Sequence, residues 1–222
     1  MIRTLKFATL ACLLSPAIAA AQVTTMDFSS IAFSLADPLS QSFGDRPGLN
    51  VSNATRVDFG NTALNDCGTG SSLKLWSTGY SNLTSAAISC RTNSVGELSF
   101  APSANKLVTL QSLRLGSYQA FDNGIGPTRN ITLQVYNSSW TSLFSFVGTV
   151  ASGVDIMPNI TSSSTLYLQW GTDQGTGLNL VKTNIADAPP PTSSVPEPAT
   201  VVLMASGLAA LGVVLRKRAR SA

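Results

Sequence analysis

Asn130-Ile131-Thr132-Leu133-Gln134-Val135-Tyr136 alternates apolar and polar side chains without interruption. A strand sends successive side chains to opposite faces, so Ile131, Leu133 and Val135 point one way while Thr132, Gln134 and Tyr136 point the other. Thr165 to Trp170 repeats the pattern, with Leu166, Leu168 and Trp170 opposite Tyr167 and Gln169. Leu73 and Leu75 oppose Lys74 and Trp76 in the same manner. The period is two, and no long stretch between Gln22 and Ser194 is helical in its periodicity.

Working outward, further strands are expected at Met26 to Phe28, Ser30 to Leu35, Thr55 to Phe59, Ala86 to Cys90, Gly96 to Phe100, Leu107 to Leu115, Leu143 to Val150 and Leu178 to Ile185. Breaks rich in Gly, Asn, Asp and Pro fall at Gly44 to Gly48, Asp66 to Gly70, Asp122 to Pro127 and Gly171 to Gly177. Many short strands at this spacing predict an all-β domain over residues 22–185, a β-sandwich or jelly roll of two antiparallel sheets. The strand near Met26 and the last strand, Leu178 to Ile185, are expected to pair and bring the domain's ends together. Residues 186–194, with Pro189, Pro190 and Pro191, read as a stiff extended linker.

Both ends of the chain look like targeting segments. Arg3 and Lys6 precede the apolar stretch Phe7 to Leu14, then Ser15-Pro16 and the small residues Ala17 to Ala21. That is the order of a secretory signal peptide, read as a helix; cleavage after Ala19 or Ala21 satisfies the small-x-small rule, and the cut before Gln22 is favoured, giving residues 1–21. At the other end, Val195-Pro196-Glu197-Pro198 is followed by an uncharged run of 17 residues, 199–215, and a basic cluster, Arg216, Lys217, Arg218 and Arg220. The prolines fix φ and hold the first part extended. The run is at the short end of what crosses a hydrocarbon core of about 30 Å as a helix. The basic cluster, over residues 216–220, is costly to translocate and acts as a cytoplasmic stop.

This three-part tail, residues 195–222, resembles the PEP-CTERM sorting signal of Gram-negative bacteria. The resemblance implies export by the Sec machinery, transient anchoring in the inner membrane, cutting by a membrane-embedded exosortase, and delivery to the cell surface or outside. Val195, Pro196, Glu197 and Pro198 would then be recognition elements for the exosortase, not catalytic groups. The span carries more Val and Ala than the leucine-rich look of that family. The central domain also resembles, more loosely, galactose-binding-like jelly rolls, on Lys106 to Leu110 with Leu113 to Gly116 and on Gly177 to Val181. No sugar-binding position is carried over from that second resemblance.

Charge and cysteine usage agree with export. The chain carries a net +3, but its two ends contribute +2 and +3, and the region between them has 8 basic and 10 acidic residues, a net −2. The basic balance therefore gives no footprint for nucleic acid. Cys12 belongs to the signal peptide, leaving Cys67 and Cys90 as an even pair, which in an exported chain reads as one disulfide. Closing that loop contributes about 3 kcal/mol under the chain-entropy model.

The chain has no histidine, which removes Ser-His-Asp and Cys-His catalysis and histidine-based zinc or iron sites. Gly124-Ile125-Gly126 lacks the following helix that a phosphate loop needs. The acids are scattered among turns, so an enzyme is not expected and no catalytic residue is assigned. Sugar recognition uses aromatic faces beside amides and carboxylates, and Trp76, Tyr80 and Tyr136 are the candidates, against the alternative that these rings cover a sandwich. Trp140 sits in the hairpin Asn137 to Thr141, and Tyr118 also lies near a loop. Asp122-Asn123 or Asp173 offer oxygens for a structural calcium, but no calcium-loop spacing is present, so no cofactor is expected. Six Asn-x-Ser/Thr sequons, at Asn50, Asn53, Asn82, Asn130, Asn137 and Asn159, read as a polar β surface in a bacterial chain. The expected role is structural or adhesive, in a biofilm, exopolysaccharide or extracellular matrix. A carbohydrate-binding module is the alternative, and a secreted hydrolase the third.

Overall fold

The computed structural model describes residues 22–31, 37–68, 70–77, 79–80, 82–118, 130–149, 153–171, 175–190, 202–206, 208 and 216. The chain divides into two units, Met1–Ala188 and Pro189–Ala222. In the first unit, twelve strands are described: β1 (Gln22–Asp27), β2 (Leu49–Arg56), β3 (Lys74–Trp76), β4 (Ala86–Ile88), β5 (Val95–Pro102), β6 (Lys106–Ser117), β7 (Asn130–Tyr136), β8 (Ser142–Thr149), β9 (Val154–Ile156), β10 (Ile160–Ser162), β11 (Leu166–Gly171) and β12 (Thr176–Asp187).

They form two antiparallel sheets, as a sandwich requires. One runs β10-β6-β12-β4-β3, with β1 added on β12 and β9 on β6; the other runs β2-β5-β11-β7-β8. Alternation delivers Leu98, Phe100, Leu133, Val135, Leu168 and Trp170 from the five-stranded sheet, and Val108, Leu110, Leu115 and Val181 from the other, to one buried cluster. Each such side chain stabilises the fold by about 1.5–3 kcal/mol on leaving water. Gly96 lies directly opposite Trp170 across the β5–β11 pair. A Cβ at Gly96 would come within 2.7 Å of the indole, so glycine is what admits the ring.

The first and last strands pair as expected, with Met26 opposite Val181 and Gln22 opposite Ile185. Other boundaries differ. The strand expected at Thr55 to Phe59 is β2, which ends at Arg56 and begins at Leu49. Its alternation was hidden because Asn53 takes a core-facing place, and its amide is satisfied there. Asn53 Oδ1 accepts from Leu73 N at 2.9 Å and Nδ2 donates to Ser40 O at 2.9 Å. Asp27 Oδ1 accepts from Ser29 N at 2.8 Å and caps a 3-10 turn, Phe28–Ser30, so β1 ends at Asp27 and Ser30, where a further strand was expected to start, lies in that turn. Residues 32–36 of that expected strand lie outside the described residues. β9 and β10 have three residues each and flank Pro158, too little for alternation to register.

In the second unit Val202 to Ser206, Leu208 and Arg216 are helical, and Val202, Leu203, Met204 and Leu208 are exposed. Among the described residues no helix is long and apolar enough to cross a membrane, so the expected helix over 199–215 is described only in part. The signal segment 1–21, the motif residues Val195 to Pro198 and the bases Lys217, Arg218 and Arg220 lie outside the described residues.

Candidate functional site

The outer face of the five-stranded sheet carries two polar rows. Strand register puts Gln169 of β11 between Glu97 of β5 and Gln134 of β7. One step along, Tyr167 lies between Ser99 and Tyr136, and Ser99 is bonded to Ser52 at 2.6 Å. Glu97 is almost wholly enclosed, at 2 % exposure, yet fully engaged. Arg56 Nη2 donates to Oε1 at 2.6 Å, and Gln169 Nε2 donates to Oε2 at 2.7 Å. A buried carboxylate persists only with such partners.

The cover is the segment after β2. Gly60 N donates to Gln169 Oε1 at 2.8 Å, and a Cβ added at Gly60, whose φ is +63°, would stand 3.4 Å from the Tyr136 hydroxyl. The Tyr136 hydroxyl donates to Gln134 Oε1. Burial and the Asp58 carboxylate together raise the Tyr136 pKa above its ordinary value of 10.0. The far end of the cover is pinned by a disulfide, Cys67–Cys90, with Cα atoms 6.0 Å apart. Cys90 N in turn donates to Thr55 Oγ1 at 3.1 Å, tying the bridge to β2.

Beside this covered row the aromatic surface opens. The β7–β8 turn is held by Asn137, whose Oδ1 accepts from Ser139 N and Thr141 N, each at 2.9 Å. Trp140 takes the left-handed conformation there, φ 60°, uncommon for a bulky residue. That backbone lays the half-buried indole flat on Tyr167, with centroids 4.4 Å apart and planes 12° apart. Tyr136 adjoins at 5.7 Å. Three rings thus meet at a sheet end, next to amides and hydroxyls, with Trp140 and Tyr167 half-buried and Tyr136 itself buried.

The sequence-predicted aromatics do not converge. Only Tyr136 belongs to this platform. Tyr80, 3 % exposed, joins Leu83, Ala86 and Ile88 in a second small core, with Trp76 and Tyr118 packed against it. Trp76 meets Tyr118 edge-on at 6.4 Å, and Tyr80 meets it at 5.0 Å. Trp140 and Tyr167 were not among the sugar candidates. The hairpin signal pointed to the first, but their stacking depends on cross-strand register and on one backbone angle, which a linear pattern does not carry.

A cleft of about 180 Å³ lies elsewhere, between β1 and the turn Phe43 to Arg46. Asp27 and Asp45 line it, but Asp45 Oδ1 accepts from Val51 N at 2.6 Å and Asp27 Oδ1 caps the 3-10 turn, so both acids hold turns. Arg46 donates to Thr183 there, and burial lowers its pKa. Among the described residues no three His, Cys, Asp or Glu side chains cluster as metal ligands. The calcium candidates Asp122, Asn123 and Asp173 lie outside the described residues.

The comparison with known families decides the tail. Residues 194–219 match the PEP-CTERM protein-sorting motif. The PEP-CTERM motif spans the proline-bracketed glutamate, the uncharged run and the first three bases of the basic cluster, Arg216 to Arg218, and it marks an exported protein with a membrane-anchored sorting signal, processed by an exosortase. No curated protein matches the chain.

Proposed function

We propose that the protein is a non-enzymatic structural or adhesive component of an extracellular polysaccharide matrix or biofilm. The Sec machinery exports it, a helix over residues 199–215 holds it briefly in the inner membrane, and exosortase cutting frees it for the surface or medium. The observation that supports this reading is the PEP-CTERM motif joined through a proline-rich linker to a two-sheet domain. That domain's buried carboxylate, Glu97, is closed off by Arg56 and Gln169. A carboxylate so held is a structural tie, not an acid poised for proton transfer. Deleting the coding sequence should deplete the polysaccharide matrix around cells, and the intact chain should restore it. An unchanged matrix would sink the reading.

The Trp140–Tyr167 stack beside Tyr136 favours a second, sharper reading, a carbohydrate-binding module. A sugar ring presents C–H groups to an aromatic face and hydroxyls to neighbouring amides, and Trp and Tyr supply both an apolar body and a polar handle. Purified protein should bind at least one polysaccharide on a glycan array. Trp140→Ala should lose that binding, and Trp76→Ala should keep it. Equal binding by both variants would count against the platform.

A further inference from the structure

Sheet edges that offer unpaired backbone groups template pairing with another chain unless they are blunted. Three edge regions here are blunted. β2 is sealed by the chain that follows it: Thr55 N donates to Ser71 O, Asn65 N donates to Thr55 O, and the Asn53 amide takes Leu73 N. β3 is sealed by Leu75 N donating to Asp37 O and by a bridge from Pro38 to Lys74. The β9 and β10 side is broken into three-residue pieces around Pro158.

Among the described residues β8 has none of these seals, and its ladder to β7 carries one bulge, at Leu143, where the pairing steps from Val135–Phe144 to Tyr136–Ser142. It is the outermost strand of the five-stranded sheet, eight residues long, Ser142-Leu143-Phe144-Ser145-Phe146-Val147-Gly148-Thr149. It contains no proline, and the sequence has no charged residue between Arg129 and Asp155. Phe144 and Phe146 turn towards the core, whereas Leu143 and Val147 stand 42 % and 65 % exposed on the other face.

We propose that β8 is a self-association edge, and that its occupant is β8 of a second copy of this chain, paired antiparallel about a two-fold axis at Ser145. The strand is self-complementary in that register. Leu143 meets Val147 of the partner, Phe144 meets Phe146, and Ser142 meets Gly148. Apolar cross-strand pairs are the stabilising unit of a sheet. With no charge on the strand, no like pair is brought together. A two-fold interface uses the same patch on both copies, as this register does. The result is one continuous ten-stranded sheet made from two five-stranded ones. The inference does not depend on sugar binding, and gives a surface protein a second valency.

Full-length protein in detergent, compared variant by variant, tests it by light scattering and by oxidative cross-linking. The chain should be dimeric, and Val147→Lys should lose the dimer while keeping the circular dichroism spectrum. Ser145→Cys should give a covalent dimer on oxidation, because the two thiols face each other across the axis. Leu143→Cys should cross-link only when mixed with Val147→Cys. A monomeric chain overturns the proposal. So does a dimer that Val147→Lys leaves intact, or one in which Ser145→Cys fails to cross-link.

Discussion

Glu97 and Tyr136 set what single residues do in this domain. Glu97 sits between Arg56 and Gln169 with almost no water access. Glu97→Gln would keep the shape but leave Arg56 without its counter-charge, and breaking a buried pair from one side costs about 3 kcal/mol or more. The melting temperature should fall accordingly, whereas Asp187→Asn, which removes the exposed pair with Lys106, should cost less than about 1 kcal/mol. A similar loss for both would show that the covered row is not sealed. Tyr136 makes a pH prediction. Its folded pKa is raised by burial and by Asp58, above the 10.0 of an ordinary tyrosine. An unfolded chain therefore sheds this proton first, so stability is complete below pH 10 and declines as pH rises through the folded value. Phenolate absorbance, with Tyr136→Phe as the difference control, should show the Tyr136 titration moving down in Asp58→Asn. An unmoved titration would leave burial as the whole cause.

At the scale of elements, the disulfide and the covering segment act together. Cys67 and Cys90 are separated by 23 residues and join the end of the cover to the chain after β4. Replacing both by serine should lower stability by about 3 kcal/mol in urea melts. It should also speed hydrogen exchange at Gly60, whose amide bonds Gln169. Unchanged exchange there would mean that the cover holds without its pin. Such elements were unevenly legible. β7 and β11 were read directly because their apolar faces are complete: Ile131, Leu133 and Val135, then Leu166, Leu168 and Trp170. β2 is not legible in that way, since Asn53 stands where alternation calls for an apolar residue. Gln169 lay on the polar face as read, but is fully buried because the segment from Val57 to Asn65 folds back over it. No local pattern announces a polar face that becomes interior. The aromatic platform was half legible for the same reason: the tyrosines were visible in the sequence, but their neighbours are set by register.

For the whole molecule, sorting and charge are linked. The PEP-CTERM motif at 194–219 contains the three bases Arg216, Lys217 and Arg218 and the single acid Glu197, Arg220 follows it, and Arg3 and Lys6 lie at the other end. The complete chain is basic, with a pI near 8.9. If both segments are removed during export, the product keeps 8 basic and 10 acidic residues, a net −2 instead of +3. The mature protein should therefore focus on the acidic side of neutrality, while the precursor focuses on the basic side. We propose Glu197 as the element the exosortase recognises; the prolines on either side of it fix φ and favour an extended chain. Glu197→Ala should leave a membrane-retained, basic species; deletion of residues 216–220 should also leave the chain membrane-retained if the basic cluster sets the orientation of the span, but without those four bases that species is acidic. Intact mass of the released protein, taken with isoelectric focusing of the membrane and medium fractions, reads both cuts and the disulfide in one sample. An acidic, released product from Glu197→Ala would show that cutting does not depend on the glutamate, and would pass recognition to the span and its basic end.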